Sequence, residues 1–516
     1  MENWLNHAIF YEIYPQSFCD SDADGIGDIN GIISKLDYIR SLGCNAIWIN
    51  PCFDSPFTDA GYDVRNYYLV APRYGTNEDL KHLFQVAHEK DMHVLLDLVP
   101  GHTSSQCRWF QESCKAEKNH YTDRYIWTDT VWNAPDHIGS IAGWIRGGTE
   151  RDGAAAVNFF TTQPALNYGF YEKDPGCDWE QDMNDAGPVS TRKELIKIME
   201  FWLSMGCDGF RVDMAGSLVK NDPEGKGTIA LWNRIFETVR NDYPDAKFVS
   251  EWGEPDKALL AGFDMDFLLH FGPSHYPDLF RSEHPYFRED EKGNLHDFFK
   301  LYLENRKKTE GKGLICIPSG NHDMDRLAYT LDEEELKCAF AFLLSMPGVP
   351  FIYYGDEIGM RKVTGLPSRE GGYNRTGSRT PMQWDHTANA GFSAASPDSL
   401  YLPQDAEMKD RINVETEEKD ENSLYHVVKD LIAVRQNIPA LGNTGDFRLI
   451  SCDYPLVYER KNEEEKVLVI INPSSQEKHV SFDGAYETVW QSGNTPGTYQ
   501  NEMTVNGVSA VFLKKI

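Results

Sequence analysis

The sequence predicts an α/β protein of repeating parallel βα units, a doubly wound sheet or a (β/α)8 TIM barrel, with an inserted domain after the third strand and a C-terminal antiparallel β domain. Three observations predict it. Strand-like apolar runs alternate with helix-spaced ones over the first hundred residues and again after residue 181. The stretch from about 104 to 181 breaks that rhythm with Trp, Gly, Asp and Asn. Beyond Leu441, short alternating runs such as Lys466 to Ile471 and Ser509 to Leu513 are separated by Gly, Asn and Pro turns. The expected boundaries are 1–103 and 182–442 for the two parts of the βα domain, 104–181 for the insertion and 443–516 for a C-terminal β-sandwich.

The elements follow in order. Ala8 to Tyr14 reads as a buried strand, then Ile29, Ile32, Ile33, Leu36, Ile39 and Leu42 recur at helical spacing until Gly43 stops them. Ala46 to Ile49 is the next strand. Thr76 with Asp79 forms a capping-box pattern ahead of Leu80, Leu83, Phe84 and Ala87, and Val94 to Val99 is the third strand. After the interruption, Thr191 and Glu194 are expected to cap a helix that Gly206 closes, and Gly209 to Val212 forms a strand. Strands end on polar groups, at Asp97 followed by His102, at Arg211 with Asp213, and at Glu251, and a barrel gathers its active site at such strand ends. The acidic runs Asp332 to Glu335 and Glu463 to Glu465 read as a solvated helix start and a hairpin turn.

Composition narrows the function. A chain of 516 residues with 41% hydrophobic and 25% charged residues buries a sizeable core and exceeds one compact domain of usual size. Its formal net charge of -30 repels nucleic-acid phosphates and anionic membranes, leaving neutral substrates or cations as expected partners. No stretch approaches the roughly 18 apolar residues of a membrane span, and no secretory pattern opens the chain, so a cytoplasmic location is expected. Ten scattered cysteines, without Cys-x-x-Cys, suit reduced thiols.

Four ordered segments carry the chemistry: Asp97-x4-His102, Gly209-Phe-Arg-Val-Asp213, Glu251 after a strand, and Gly320-Asn-His-Asp323. Alone, Arg-x-Asp at a strand end is more often a structural ion pair, and Asn-His-Asp a turn; their joint order on a βα pattern points to a site. These segments, with Gly61-Tyr-Asp63, Gln163-Pro-Ala-Leu-Asn167, Gly348-Val-Pro-Phe-Ile-Tyr-Tyr-Gly355 and Arg379-Thr-Pro-Met-Gln-Trp384, resemble glycoside hydrolase family 13, the α-amylase superfamily. The resemblance covers residues 1 to about 440, and it selects the barrel.

Retaining glycoside hydrolysis needs a carboxylate nucleophile and a second carboxyl that protonates the leaving oxygen and then activates water. Asp213 and Glu251 fit these roles. Arg211, two residues before Asp213 on the same strand face, is placed to lower its pKa, and a partly desolvated site beside Trp252 favours a protonated Glu251. By resemblance Asp323 is the third carboxylate, gripping sugar hydroxyls, with His102 and His322 bonded to the same ring and Tyr62 stacking beneath it. Resemblance to the α-glucosidase and oligo-1,6-glucosidase branch further implies that Asp63 and Arg326 pair across the glycone subsite, making a pocket and an exo-acting enzyme.

The loop Asp20-Ser-Asp22-Ala-Asp24-Gly-Ile26-Gly-Asp28 alternates carboxylates around a glycine turn, a pattern for a hard cation. Position twelve is Gly31, so it is no EF-hand. The resemblance implies one structural Ca2+, or Mg2+, held by Asp20, Asp22, Asp24, the Ile26 carbonyl and Asp28. Three departures stand out: Gly101 where amylases carry a calcium-binding Asn, Ala165 for the usual Asp, and Met214 after the nucleophile.

The expected function is a retaining exo-α-glucosidase acting on small oligosaccharides or disaccharides, most simply a monomer, without an organic cofactor. Two other functions compete: a glucosyl transferase or isomerase of the trehalose synthase or sucrose isomerase type, and a non-catalytic protein like the transporter heavy chains. The three carboxylates present here speak against the last.

Overall fold

A computed structural model describes residues 3–135, 138–309 and 311–516. Eight parallel strands line up as β1 (Phe10–Ile13), β2 (Ala46–Ile49), β3 (His93–Leu98), β4 (Gly209–Val212), β5 (Lys247–Ser250), β6 (Met265–Phe267), β7 (Leu314–Cys316) and β8 (Phe351–Tyr353). The sheet order is β7-β6-β5-β4-β3-β2-β1-β8. A parallel bridge between Pro318 and Phe351, with Ser319 N–H donating to Phe351 O at 2.9 Å, joins the two ends into a barrel.

A helix follows each strand: α1 (Ile29–Leu42), α2 (Asn77–Glu89), α3 (Ala186–Met205), α4 (Lys226–Asp242), α5 (Pro255–Leu260), α6 (His296–Thr309), α7 (Glu333–Leu343) and α8 (Leu424–Asn437). Helices outside and side chains inside bury β1, β2, β4, β6 and β8 along their whole length, which is why those strands read as continuous runs without alternation.

Local chemistry sets the helix ends. Asp28 caps α1 by accepting from Gly31 N, and Gly43 closes it at φ 107°, where a Cβ would lie 2.4 Å from Ile432 Cγ2 on α8. Reciprocal capping boxes start α2 at Thr76 and Asp79 and α7 at Asp332 and Glu335. The expected cap of α3 is corrected: the helix begins at Ala186 after Asp185, and Thr191 lies inside it with its hydroxyl donating to Gly187 O. Gly187-Pro188 reads as a breaker, yet a proline in the first turn removes an N–H that has no helical partner.

Between β3 and α3, the hairpin Gly143–Arg146 and Ala154–Val157 carries a small apolar cluster and meets the barrel where Leu166 N–H donates to Gly101 O. At the C-terminus, β9 (Asp446–Ser451), β10 (Leu456–Lys461), β11 (Lys466–Asn472), β12 (Lys478–Ser492), β13 (Thr498–Val505) and β14 (Ser509–Lys515) are antiparallel. They form one six-stranded sheet and not two separate sheets. Irregular register in β12 lets the sheet bend, so Val480, Met503 and Val505 pack with Leu468, Ile470 and Val511 in a second core, while Tyr458, Val469 and Phe512 on the opposite face join the barrel core. None of the described helices is long and apolar enough to cross a membrane.

Candidate active site

A pocket of about 540 Å³ opens at the C-terminal ends of the strands, lined in part by Asp213, Glu251 and Asp323. Asp213 follows β4 and Glu251 follows β5, so adjacent parallel strands deliver the two carboxylates side by side. Arg211 joins them. Its guanidinium donates to Asp97 and Asp213 at 3.0 Å each and lies 2.8 Å from Glu251. One buried cation thus serves three buried carboxylates.

That ratio decides the protonation. Burial raises Glu251 to about 8 against the pull of Arg211, with Asp213 and Asp323 pushing the same way. The sequence-based expectation for Asp213 is corrected: Arg211 does lower it, but burial outweighs that and Asp97 adds to the rise, so it reaches about 7. Both carboxyls therefore rise, Glu251 to the higher value. Glu251 Oε2 also accepts from Met214 N at 3.0 Å, and Met214 holds a left-handed turn at φ 44° beside both carboxylates.

Asp323 has the opposite surroundings. Burial would raise it, yet Arg375 at 2.5 Å and Arg379 at 3.0 Å from Oδ1, with His322 Nε2 3.3 Å from Oδ2, hold it well below the usual carboxylate range. Arg375 and Arg379 line the pocket together with Asp59, whose Oδ2 accepts from Gln163 at 2.7 Å and whose carboxyl burial raises to about 6. These three residues were not among the sequence-predicted ones. Asp59 stands three residues before Tyr62, and Arg379 opens the Thr-Pro-Met-Gln-Trp segment; Arg375 carries no local signal.

Tyr62 and His102 line the pocket. His102 Nε2 donates to Tyr62 O at 3.0 Å, and burial pushes the imidazole down to about 4, leaving it neutral. His322 is fully buried behind Tyr62, ring parallel to it, and bonds to protein groups. The Asp63–Arg326 pair is corrected. Asp63 is fully buried and accepts from Ser55 Oγ, Thr58 N, Thr58 Oγ1 and Asp59 N, because a short carboxylate after a turn captures that turn's free donors. Arg326 pairs with Asp356 at 3.0 Å, lies against Tyr353 and Tyr354, and donates to Tyr354 O. Asp63 shapes the turn that carries Asp59 and Tyr62; the charged groups that share the pocket lining with Asp323 include Asp59, Arg375 and Arg379.

Gly101 has its own reason: a Cβ there would come within 2.7 Å of Asn158 Nδ2. Asn158, from the inserted segment, accepts from Lys220 Nζ at 3.1 Å and donates to His102 Nδ1 at 3.0 Å. Lys220 also donates to Ser217 O at 2.7 Å, and complete burial pushes its ammonium down to about 7.

In the N-terminal loop, carboxylate oxygens of Asp20, Asp22 and Asp28 lie within 4.8 Å of one another, a donor set that fits a hard cation. Asp24 is outside this group and accepts from Ile26 N at 2.8 Å.

The α-amylase catalytic domain family matches residues 12–444. The trehalose synthase/amylase TreS of Mycolicibacterium smegmatis is 33% identical over 505 residues, spanning 88% of this chain and 80% of that protein. The oligo-1,6-glucosidase of Parageobacillus thermoglucosidasius is 30% identical over 533 residues, spanning 92% and 91%. Among solved structures, the trehalulose synthase MutB of Pseudomonas mesoacidophila superposes with a TM-score of 0.83 at 26% identity, covering 99% of each chain.

Proposed function

Since the chain belongs to the α-amylase catalytic domain family, whose members act on glycosidic bonds, we propose that it is a retaining, exo-acting α-glucosidase that releases terminal non-reducing glucose from short α-glucosides. Asp213 attacks the anomeric carbon while Glu251 gives its proton to the leaving oxygen, forming a covalent glucosyl–Asp213 ester; Glu251 then takes a proton from water, which opens the ester with net retention. Arg211 steadies the carboxylates through both steps. Asp323 holds the sugar hydroxyls, a role that suits a carboxylate kept ionised by Arg375 and Arg379.

The observation that carries this reading is the ring of Asp59, Arg375 and Arg379 around Asp323. In this reading those charged side chains would block a chain continuing past the terminal glucose. A second reading, transfer of the glucosyl group to another sugar, draws support from the trehalose synthase/amylase and trehalulose synthase relatives and from Phe159 and Phe271, aromatic faces on the pocket lining that would retain a released sugar. We also propose a structural Ca2+ in the loop from Asp20 to Asp28, supported by the grouping of the Asp20, Asp22 and Asp28 carboxylates.

A time-resolved product panel on maltose, isomaltose, sucrose and trehalose tests the proposal. Hydrolysis predicts free glucose rising from the first time point. Isomeric disaccharides appearing ahead of glucose would favour transfer, and no turnover on any α-glucoside would remove both readings.

A further inference from the structure

Behind the pocket wall runs a chain of buried hydrogen bonds that starts on β1. Glu12, fully buried, places Oε1 3.0 Å from His322 Nδ1, and His322 Nε2 lies 2.7 Å from Tyr62 Oη. Tyr62 Oη donates to Asp97 Oδ2 at 3.0 Å, and Asp97 Oδ1 accepts from Arg211, which reaches Asp213 and Glu251. A glutamate within the apolar strand Phe10–Ile13 is thereby connected to the reacting carboxylates.

Two features locate the protons. The side-chain amide of Asn50, a donor at Nδ2, sits 3.0 Å from His322 Nδ1 and 3.3 Å from Glu12 Oε1. With Asn50 Nδ2 on this side, a hydrogen on Nδ1 would oppose the amide hydrogens, an orientation that makes Nδ1 the acceptor. Glu12 Oε2 is buried with no hydrogen-bond partner among the described residues, an arrangement far more costly for a carboxylate than for a neutral acid.

We propose that Glu12 is a neutral carboxylic acid whose Oε1–H donates to His322 Nδ1, making it a positioning residue that holds His322 in the Nε2–H tautomer. Nε2–H then faces Tyr62 Oη, with Asp323 Oδ2 3.3 Å away, and the single proton of Tyr62 is committed to Asp97. Tyr62 and Asp323, the floor and the grip of the sugar subsite, are fixed from behind by one group that touches no substrate. Burial drives both partners toward neutrality, raising Glu12 and lowering His322, in a field that also contains Arg211 and Asp97 around Glu12, and Asp323, Arg375 and Arg379 around His322.

The positioning role rests on the glucosidase reading; the proton placement does not, and it can be read directly. Neutron diffraction from deuterium-exchanged crystals should show deuterium on Glu12 Oε1 and His322 Nε2 and none on His322 Nδ1. Deuterium on Nδ1, or a bare Glu12, would overturn the proposal whatever the enzyme's activity. Variants add the functional arm. Glu12→Gln keeps a donor toward Nδ1 and should retain kcat/KM within about threefold, whereas Glu12→Met removes it and should lose about tenfold or more, chiefly through KM. With melting temperatures of both variants near that of the parent, a Gln variant as impaired as the Met variant would show that a carboxylate charge, not a donated proton, is required.

Discussion

Two clusters share one pocket and hold their carboxylates in opposite states. Around Arg211, one guanidinium faces Asp97, Asp213 and Glu251, and the reacting acids rise to about 7 and about 8. Around Asp323, two guanidiniums face one carboxylate and it falls far below the usual range. Burial pushes Asp213, Glu251 and Asp323 in the same direction, upward, so it does not separate them. The local ratio of cations to carboxylates does, and it suits the proposed roles: proton-sharing groups on one side, an ionised grip on the sugar on the other.

Breaking the comparison at its reacting end should have the largest effect. Asp213→Asn is nearly isosteric and cannot form the glucosyl ester, so kcat should fall by about 10⁴-fold or more, with circular dichroism and melting temperature unchanged. Glu251→Gln should cost about 10²–10⁴-fold on natural glucosides and little on an aryl glucoside with a good leaving group. Similar losses on both substrates would contradict the acid assignment.

On the other side, Arg375→Ala leaves Asp323 with one guanidinium and should cost transition-state binding of about 2–5 kcal/mol, read as kcat/KM. Arg326→Ala provides the contrast: it sits behind the wall, so its loss should appear in melting temperature more than in KM. The comparison also predicts a pH profile. Activity should fall below about 7 as Asp213 gains a proton, and above about 8 as Glu251 loses its own, while Asp323 adds no limb across this range. A kcat/KM profile flat from pH 5 to 9 would contradict both raised values. The smallest effect concerns the metal loop, which contributes no group to the pocket. Calcium at about 100 times its dissociation constant should add about 2.7 kcal/mol of stability, read as a higher melting temperature, and a chelator should leave initial rates unchanged.

How legible each region is in the sequence follows from the range of its interactions. The first βα units and both capping boxes are written in local periodicity, and the pocket carboxylates Asp213, Glu251 and Asp323 directly follow β4 and β5 or sit in a recognisable segment after β7. Three-residue strands such as β6 and β8 are too short to show a period. The sequence points to Asp63, and Asp59 lines the pocket instead, because the turn from Ser55 to Asp63 decides which of its two aspartates faces outward, through hydrogen bonds that no spacing reveals. Arg375 reaches Asp323 from a loop far along the chain, and Lys220 meets Asn158 across the junction with the inserted segment. Such pairs are products of the fold, not of any local pattern.

The central claim, a retaining enzyme whose pocket admits only a chain end, is tested most directly by following anomeric protons in the NMR spectrum during the first minutes of digestion. Maltotriose or isomaltotriose should yield α-glucose first, ahead of mutarotation, and amylose should be a poor substrate. Early β-glucose would contradict retention, and early maltotriose and larger fragments from amylose would show an open cleft in place of the closed pocket.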